Sequence, residues 1–310
     1  MITICIPTFN RSKFLQELLQ SIYNANQKIP IILSNNNSTD DTNKVIQIYK
    51  KKLTNFTSIQ QKKNIGFAKN YLECLFRVRT KYAWIVGDDD LLKKDSIKNI
   101  IFTIKKLNYP NGIIFEYDNF LNLSKNKSHN SISEISLLKD FSKCGLISTQ
   151  IIKVENIKLI KNQITKQKKN LYIQIYIMLH LIKKFGKWYK SSKKIINYRN
   201  NNFNHYSKKW ILKRLENEIR GYLIPLKIIY NKQSKEYKSI TNLIFNKNII
   251  SWVLYATIQV GKLKTLLIIK NNFKYFHLEL RFKFFFICLV LFILPKRILS
   301  GLPKIKIFLG

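Results

Sequence analysis

Five short apolar runs punctuate the first 120 residues, and between them the apolar positions fall at helical spacing. ITICI (Ile2–Ile6) is β-branched and ends at Pro7, which predicts a buried strand. Beyond PTFNRS, the positions Phe14, Leu15, Leu18, Leu19, Ile22 and Tyr23 repeat with the period of a helix. IPIIL (Ile29–Leu33) predicts a second strand. The polar loop SNNNSTDDT follows, where Thr39 or Asp40 can cap a helix carrying Val45, Ile46, Tyr49 and Leu53. FTSIQ (Phe56–Gln60) predicts a third strand, and the chain then turns at Gly66 into a helix showing Phe67, Tyr71, Leu72, Leu75 and Phe76. YAWIV (Tyr82–Val86) predicts the fourth strand, Ile97, Ile100, Ile101, Ile104 and Leu107 a further helix, and GIIFEY (Gly112–Tyr117) the fifth strand.

Strands alternating with helices make βαβ units, so the expected fold class is α/β with a mostly parallel central sheet and right-handed crossovers. Such sheets bind ligands at the carboxyl ends of their strands. Polar stretches stand at those ends: PTFNR after the first strand, SNNNSTD after the second and GDDD after the fourth.

Charge sharpens the last of these. The chain carries 55 Lys+Arg against 17 Asp+Glu, a formal +38, yet three of its few acids are Asp88, Asp89 and Asp90 in a row. Adjacent carboxylates repel, and turning them inward is costly without a cation. A solvated turn would explain the triplet in isolation. Its place at a strand end beside two other polar loops favours a cation site instead. The basic excess implies an anionic partner: nucleic acid, a membrane surface or a phosphorylated substrate. A basic nucleic-acid-binding protein is one alternative. Against a specific nucleic-acid role, the lysines are spread along the chain, and only eight of the 55 cations are Arg, the preferred base reader. A different metal-dependent nucleotide-processing enzyme is a second alternative, although Walker A and GxGxxG patterns are absent. Cys5, Cys74, Cys144 and Cys288 show no CxxC spacing, and Cys5 and Cys74 fall in apolar segments as small buried hydrophobes. The opening MITICIPT predicts no signal peptide, and with the thiols it suits a cytoplasmic protein.

Taken in order, Pro7-Thr8-Phe9-Asn10-Arg11, Asn35-Asn36-Asn37-Ser38-Thr39-Asp40, Asn64-Ile65-Gly66 with Asn70, and Gly87-Asp88-Asp89-Asp90 resemble the motifs of family 2 glycosyltransferases over about residues 1–120. The GDDD form is similar to the branch containing abequosyl- and other deoxysugar transferases. The resemblance implies the GT-A nucleotide-sugar-binding fold and an inverting transfer of a sugar to a hydroxyl. Its donor is a nucleotide sugar and its acceptor a surface glycan or lipid-linked glycan. It implies a donor-binding half over 1–120, an acceptor-side half over 121–205, and a helical, basic region over 206–310. It implies Mg2+ or Mn2+ on Asp88, Asp89 and Asp90, with Asp89 or Asp90 nearer the metal and Asp88 nearer the ribose. Thr8, Asn10, Arg11, Asn36, Lys69 and Asp88 are the expected donor-binding residues.

Two departures stand out. The family's first acid in the second motif is Asn35 here, and its partner in base recognition aligns with Asn36; an amide both donates and accepts, so cytosine competes with uracil or thymine as the base. The family's later acidic pair, which includes the general base, falls on NLYIQIYIMLHL (Asn170–Leu181), which holds no acid. The candidate bases are therefore Asp118, Asp140, Glu155 and His205, with Glu116 beside Asp118 and His180 in an apolar helix.

Near the end, FFFICLVLFIL (Phe284–Leu294) gives eleven apolar residues, too few to cross a bilayer core of about 30 Å. Basic and aromatic flanks favour contact with an anionic membrane at the inner face of a bacterial cytoplasmic membrane; a buried core helix is the alternative.

Overall fold

β1 (Ile2–Thr8) is buried at all seven positions, as a strand covered on both faces must be. Its alternation divides two layers. Ile2, Ile4 and Ile6 join a core with Leu15, Leu18, Leu19 and Ile22 of α1 (Ser12–Asn24), while Cys5 lies within electrostatic reach of Tyr71 and Cys74 in α3 (Phe67–Leu75). Each of those α1 side chains contributes roughly 1.5–3 kcal/mol by leaving water. The computed structural model describes residues 1–25, 28–119, 132–135, 145–199, 207–295 and 297–298.

β2 (Ile31–Asn35) and β4 (Tyr82–Ile85) flank β1 in parallel, and β3 (Phe56–Gln60) extends the sheet beyond β2. The helices α2 (Thr42–Lys52) and α4 (Ser96–Lys106) complete the crossovers. The second strand begins two residues later than its apolar run, because Pro30 has no N–H for the ladder and serves only through its carbonyl, which accepts from Ile4 N. The helix after the second strand begins at Thr42, where Asp40 Oδ1 accepts from the Thr42 N–H at 3.1 Å.

The fifth apolar run forms β6 (Gly112–Asn119), which follows the two-residue β5 (Leu91–Leu92) in chain order. It does not pair with β4. A later segment, β8 (Gln150–Lys153), lies antiparallel between them. β9 (Trp188–Tyr198) then pairs parallel with β6, and β7 (Ile132–Glu134) and β5 pair antiparallel with β9. The result is a mixed sheet in the order β3-β2-β1-β4-β8-β6-β9-β5, with its first four strands parallel. The α5 (Val154–Leu159), α6 (Lys161–Lys166) and α7 (Ile173–Phe185) helices follow β8 in sequence.

The chain clusters into two units. The first gathers the described parts of Met1–Ile135, Leu146–Lys169 and His180–Asn200; the second gathers those of Ser136–Gly145, Asn170–Leu179 and Asn201–Gly310. The second unit is helical, as expected for the C-terminal region. α8 (Lys208–Ile229) starts at Ser207, whose Oγ accepts from Trp210 N, and α9 (Lys235–Ile244) starts at Ser234, whose Oγ accepts from Tyr237 N. A π turn over Phe245–Ile249 leads into α10 (Ile250–Gln259), and α11 (Lys262–Asn272) and α12 (Leu278–Ile293) follow. Among the described residues no helix is long and apolar enough to cross a membrane.

Candidate active site

The parallel register Thr8↔Asn35 and Cys5↔Ile85 brings the carboxyl ends of β1, β2 and β4 to one edge of the sheet. A cavity of about 400 Å³ opens there, and Thr8, Arg11, Asn36, Asn70, Asp88 and Asp89 contribute to its wall. Three motifs separated by up to 80 residues thus meet because the strands that carry them are neighbours.

Asp88 is held by Thr8, whose Oγ1 donates to Asp88 Oδ2 at 2.7 Å. Burial pushes its carboxyl up to about 6; the Arg11 guanidinium opposes that rise and Asp89 adds to it. Arg11 hydrogen-bonds Asp89 Oδ2 and stands 3.8 Å from Asp88 Oδ1, so one guanidinium balances two acids. Asp90 is 2% exposed, and burial pushes it up to about 7 against the hydrogen bond from Ser148. Its Oδ2 accepts from Ser148 Oγ at 2.5 Å, while its buried Oδ1 has no hydrogen-bond partner among the described residues. Gly87 permits this crowding: a Cβ there would stand 3.1 Å from Asp89 Oδ1, 3.2 Å from Asp90 Oδ2 and 3.4 Å from Ser148 Oγ.

Whether these acids fit a divalent cation turns on two observations. Among the described residues no group of three acids, histidines or cysteines stands close enough to hold a metal unaided. However, Mg2+ and Mn2+ favour hard oxygens, and Mg2+ in particular is held by one or two carboxylates together with substrate phosphates. The unpartnered Asp90 Oδ1 in a buried, acid-rich setting matches that incomplete cage, so the donor set fits.

The second loop divides its labour. Asn35 donates through Nδ2 to Asn43 Oδ1 and Gln60 Oε1 and accepts from Ser38 N, so it builds the turn. Asn36 lines the cavity; its Nδ2 donates to Asn64 Oδ1 at 3.0 Å and its Oδ1 accepts from Ile65 N at 2.8 Å. Asn10, at a φ of 52°, ties the first loop to the second through Ser38 Oγ and the Thr39 N–H, and it stands outside the cavity lining, as does the half-buried Lys69. Buried Asn70 accepts from Ser34 Oγ and donates to the Ser34 carbonyl at 2.9 Å, pinning α3 to β2.

The candidate bases are scattered. Asp118, near the carboxyl end of β6, is ion-paired with Lys93 and Lys194. Burial acts to raise its pKa, but Lys194 and Lys93 outweigh that and hold the carboxyl below the usual range. Glu155 is 72% exposed, 3.4 Å from Lys153. Glu116 lies at a register irregularity of β6 against β9, and His180 is half-buried in α7. Asp140 and His205 lie outside the described residues.

Two contributors escaped the sequence reading. Ser148 precedes β8, and because β8 runs antiparallel to β4 its start lies where β4 ends; the Trp84 indole N–H fixes it by donating to the Ser148 carbonyl at 2.8 Å. Arg199, just past β9, pairs with Glu17, stacks 5.0 Å from the Phe14 ring and donates from Nε to the Asp89 carbonyl at 3.3 Å. Neither carries a local signal, since both act through pairings of distant strands.

Residues 3–168 match the family model described as Glycosyl transferase family 2. A 102-residue stretch is 40% identical to abequosyltransferase RfbV of Salmonella typhimurium, covering 31% of this chain and 30% of RfbV. The chain therefore aligns with under a third of that relative's length. Among solved structures, S. aureus TarS 1–349 superposes with a TM-score of 0.61 at 16% identity, over 89% of this chain and 88% of that 1–349 fragment. Mannosyltransferase PcManGT from Pyrobaculum calidifontis, in complex with GDP-Man and Mn2+, gives a TM-score of 0.58 at 12% identity, over 87% of this chain and 78% of that one. At such identities the structural matches speak for the fold, and the GT-A fold is the one they share.

Proposed function

This chain belongs to glycosyl transferase family 2, and we propose that it moves a sugar, with inversion, from a nucleoside diphosphate to an acceptor hydroxyl with the help of Mg2+ or Mn2+. The observation that carries this reading is the acid-walled cavity at the carboxyl edge of the parallel strands, lined by the buried Asp88 and by Asp89, with the buried Asp90 next in the chain.

Breaking the anomeric C–O bond leaves negative charge on the nucleoside diphosphate. A bound divalent cation neutralises that charge without a proton transfer. Asp90 Oδ1 and Asp89 are the chain's ligands for it, and Asp88, steadied by Thr8, accepts from the donor's ribose hydroxyl. Arg11 turns from the acids toward the diphosphate as the donor enters, offering two N–H groups to its oxygens. Phe9 and Phe67, 40% and 45% exposed at the cavity, flank the base, and Asn36 reads its edge. Asp118 lies on the same edge of the sheet and takes the proton of the attacking hydroxyl.

Abequosyltransferase RfbV and S. aureus TarS, solved with UDP-GlcNAc, support a nucleotide-sugar donor. The reading places the enzyme at the inner face of a bacterial cytoplasmic membrane, with a surface-glycan or lipid-linked acceptor. The test is a panel of UDP-, dTDP-, CDP- and GDP-sugars with and without Mn2+. Binding and slow hydrolysis of at least one, enhanced by Mn2+, is expected; silence across the panel overturns the proposal.

A further inference from the structure

Helix α12 is apolar on two opposite sides. Leu280, Phe284 and Leu291 face inward and are buried, with Phe284 stacked on Phe276 at 5.4 Å and edge-on to Phe245 at 4.8 Å. Outward, Leu278, Phe282, Phe285, Phe286, Leu289 and Ile293 are 49–70% exposed. They fall on one side of the helix, each three or four residues from another of the set, and make one continuous row, which water does not favour and an apolar surface does.

A cavity of about 330 Å³ opens at the start of the same helix, with Lys232, Lys238, Arg281, His277, Leu278 and Glu279 in its wall. His277 is the N-cap residue, and its Nδ1 accepts from Leu280 N at 3.4 Å, which leaves the ring proton on Nε2. His277 is only 6% exposed, and Nε2 has no hydrogen-bond partner among the described residues. His277 thus adds to the cavity wall a residue whose buried Nε2–H has no acceptor among the described residues. Lys232 Nζ and Arg281 Nε donate to the carbonyls of Lys274 and Phe276, which steady both cations without neutralising them. Glu279 stands 3.7 Å from Lys238 and offsets that one charge. The ligand that suits the two uncompensated cations, Lys232 and Arg281, beside a helix N-terminus is a phosphate group.

We infer that α12 lies along an anionic phospholipid surface, with its outer row among the acyl chains and a lipid phosphate in the cavity at its N-terminus. Leu278 belongs to both the cavity and the row, so the polar and apolar contacts are continuous. Residues 262–298 carry eight Lys or Arg against Glu279 alone, which complements an anionic leaflet. Sixteen helical residues reach about 24 Å, short of a bilayer core, so the helix lies in the interface and does not span it.

The full chain is to be co-sedimented with phosphatidylglycerol and phosphatidylcholine vesicles in low and high salt, beside a Phe282→Ser/Phe285→Ser/Phe286→Ser variant and an Arg281→Glu variant. Preference of the parent for phosphatidylglycerol is expected, with each variant losing about tenfold or more in vesicle affinity at low salt. Circular dichroism should be unchanged; if the triple variant melts early, Arg281→Glu alone decides. Equal binding to both lipids, or variants that bind like the parent, overturns the inference. So does complete displacement by millimolar inorganic phosphate, which marks a soluble phosphate ligand. A dimer in light scattering that the outer-row substitutions dissociate, with no vesicle binding, overturns it in favour of a second copy on this face.

Discussion

Ser148 Oγ donates to Asp90 Oδ2 at 2.5 Å and accepts from Gly87 N at 2.8 Å, so a residue 58 positions downstream fixes both ends of the acid loop. The hydroxyl occupies one Asp90 oxygen and turns the other into the buried, unpartnered atom on which the metal assignment rests.

Removing that hydroxyl should loosen the cation site without emptying it. Ser148→Ala is expected to lower Mn2+-dependent turnover and Mn2+ affinity by roughly 10–100-fold, the usual cost of losing an outer-shell partner. Asp90→Asn should abolish the Mn2+ response while the protein stays folded, since a buried like-charge repulsion is relieved. The measurement is thermal denaturation in the presence of a nucleoside diphosphate, with and without Mn2+: the parent's midpoint rises on adding metal, and that of Asp90→Asn does not. An Asp90→Asn protein that is unfolded would make the triplet structural.

Asn36 stands at the cavity wall with an amide that both donates and accepts. Asn36→Asp keeps the acceptor for Ile65 N and loses the donor to Asn64, whose own amide can turn to supply an N–H. Preference should move toward uridine or thymidine nucleotides, whose N3–H a carboxylate accepts. Calorimetry with UDP, dTDP and CDP decides; an unchanged order of affinities removes Asn36 from base recognition.

Gly112 opens β6 directly against Trp188, and a Cβ there would lie 2.2 Å from the indole Cε2. Trp188 is 1% exposed and has nowhere to retreat. Gly112→Ala is expected to cost about 1–3 kcal/mol or more in urea unfolding, because backbone or indole must shift in a closed core. A loss below about 0.5 kcal/mol would show that the β6–β9 seam yields easily.

Asp118 is paired with Lys93 and Lys194, and its folded pKa lies below the ordinary aspartate value of about 3.9. The folded state therefore binds its proton less readily than the unfolded chain. The stability it contributes is complete above that value and disappears as pH falls through the folded pKa. Asp118→Asn should cost on the order of 1–3 kcal/mol at neutral pH and flatten the acid limb of the stability curve below about pH 4. A variant whose acid limb matches the parent's would show that the two lysines do not hold Asp118 ionised. Loss of turnover beyond the loss of stability would also support Asp118 as the proton acceptor.

The sequence by itself determined the βαβ rhythm of the first 120 residues, since each apolar run and each helical face reports its own burial through local periodicity. It likewise placed Thr8, Arg11, Asn36, Asp88 and Asp89 together, because polar loops at the carboxyl ends of parallel neighbours must converge. It marked the apolar stretch from Phe284 onward but not its two-sided character, which needs Phe276 and Phe245 to show which face is filled. Only the tertiary structure inserted β8 between β4 and β6, brought Ser148 to Asp90 and Arg199 to Asp89, and put two lysines on Asp118. These are pairings of segments far apart in the chain. No local pattern encodes which strand will satisfy the open edge of another, and that choice is made by the hydrogen bonds and packing of the assembled sheet.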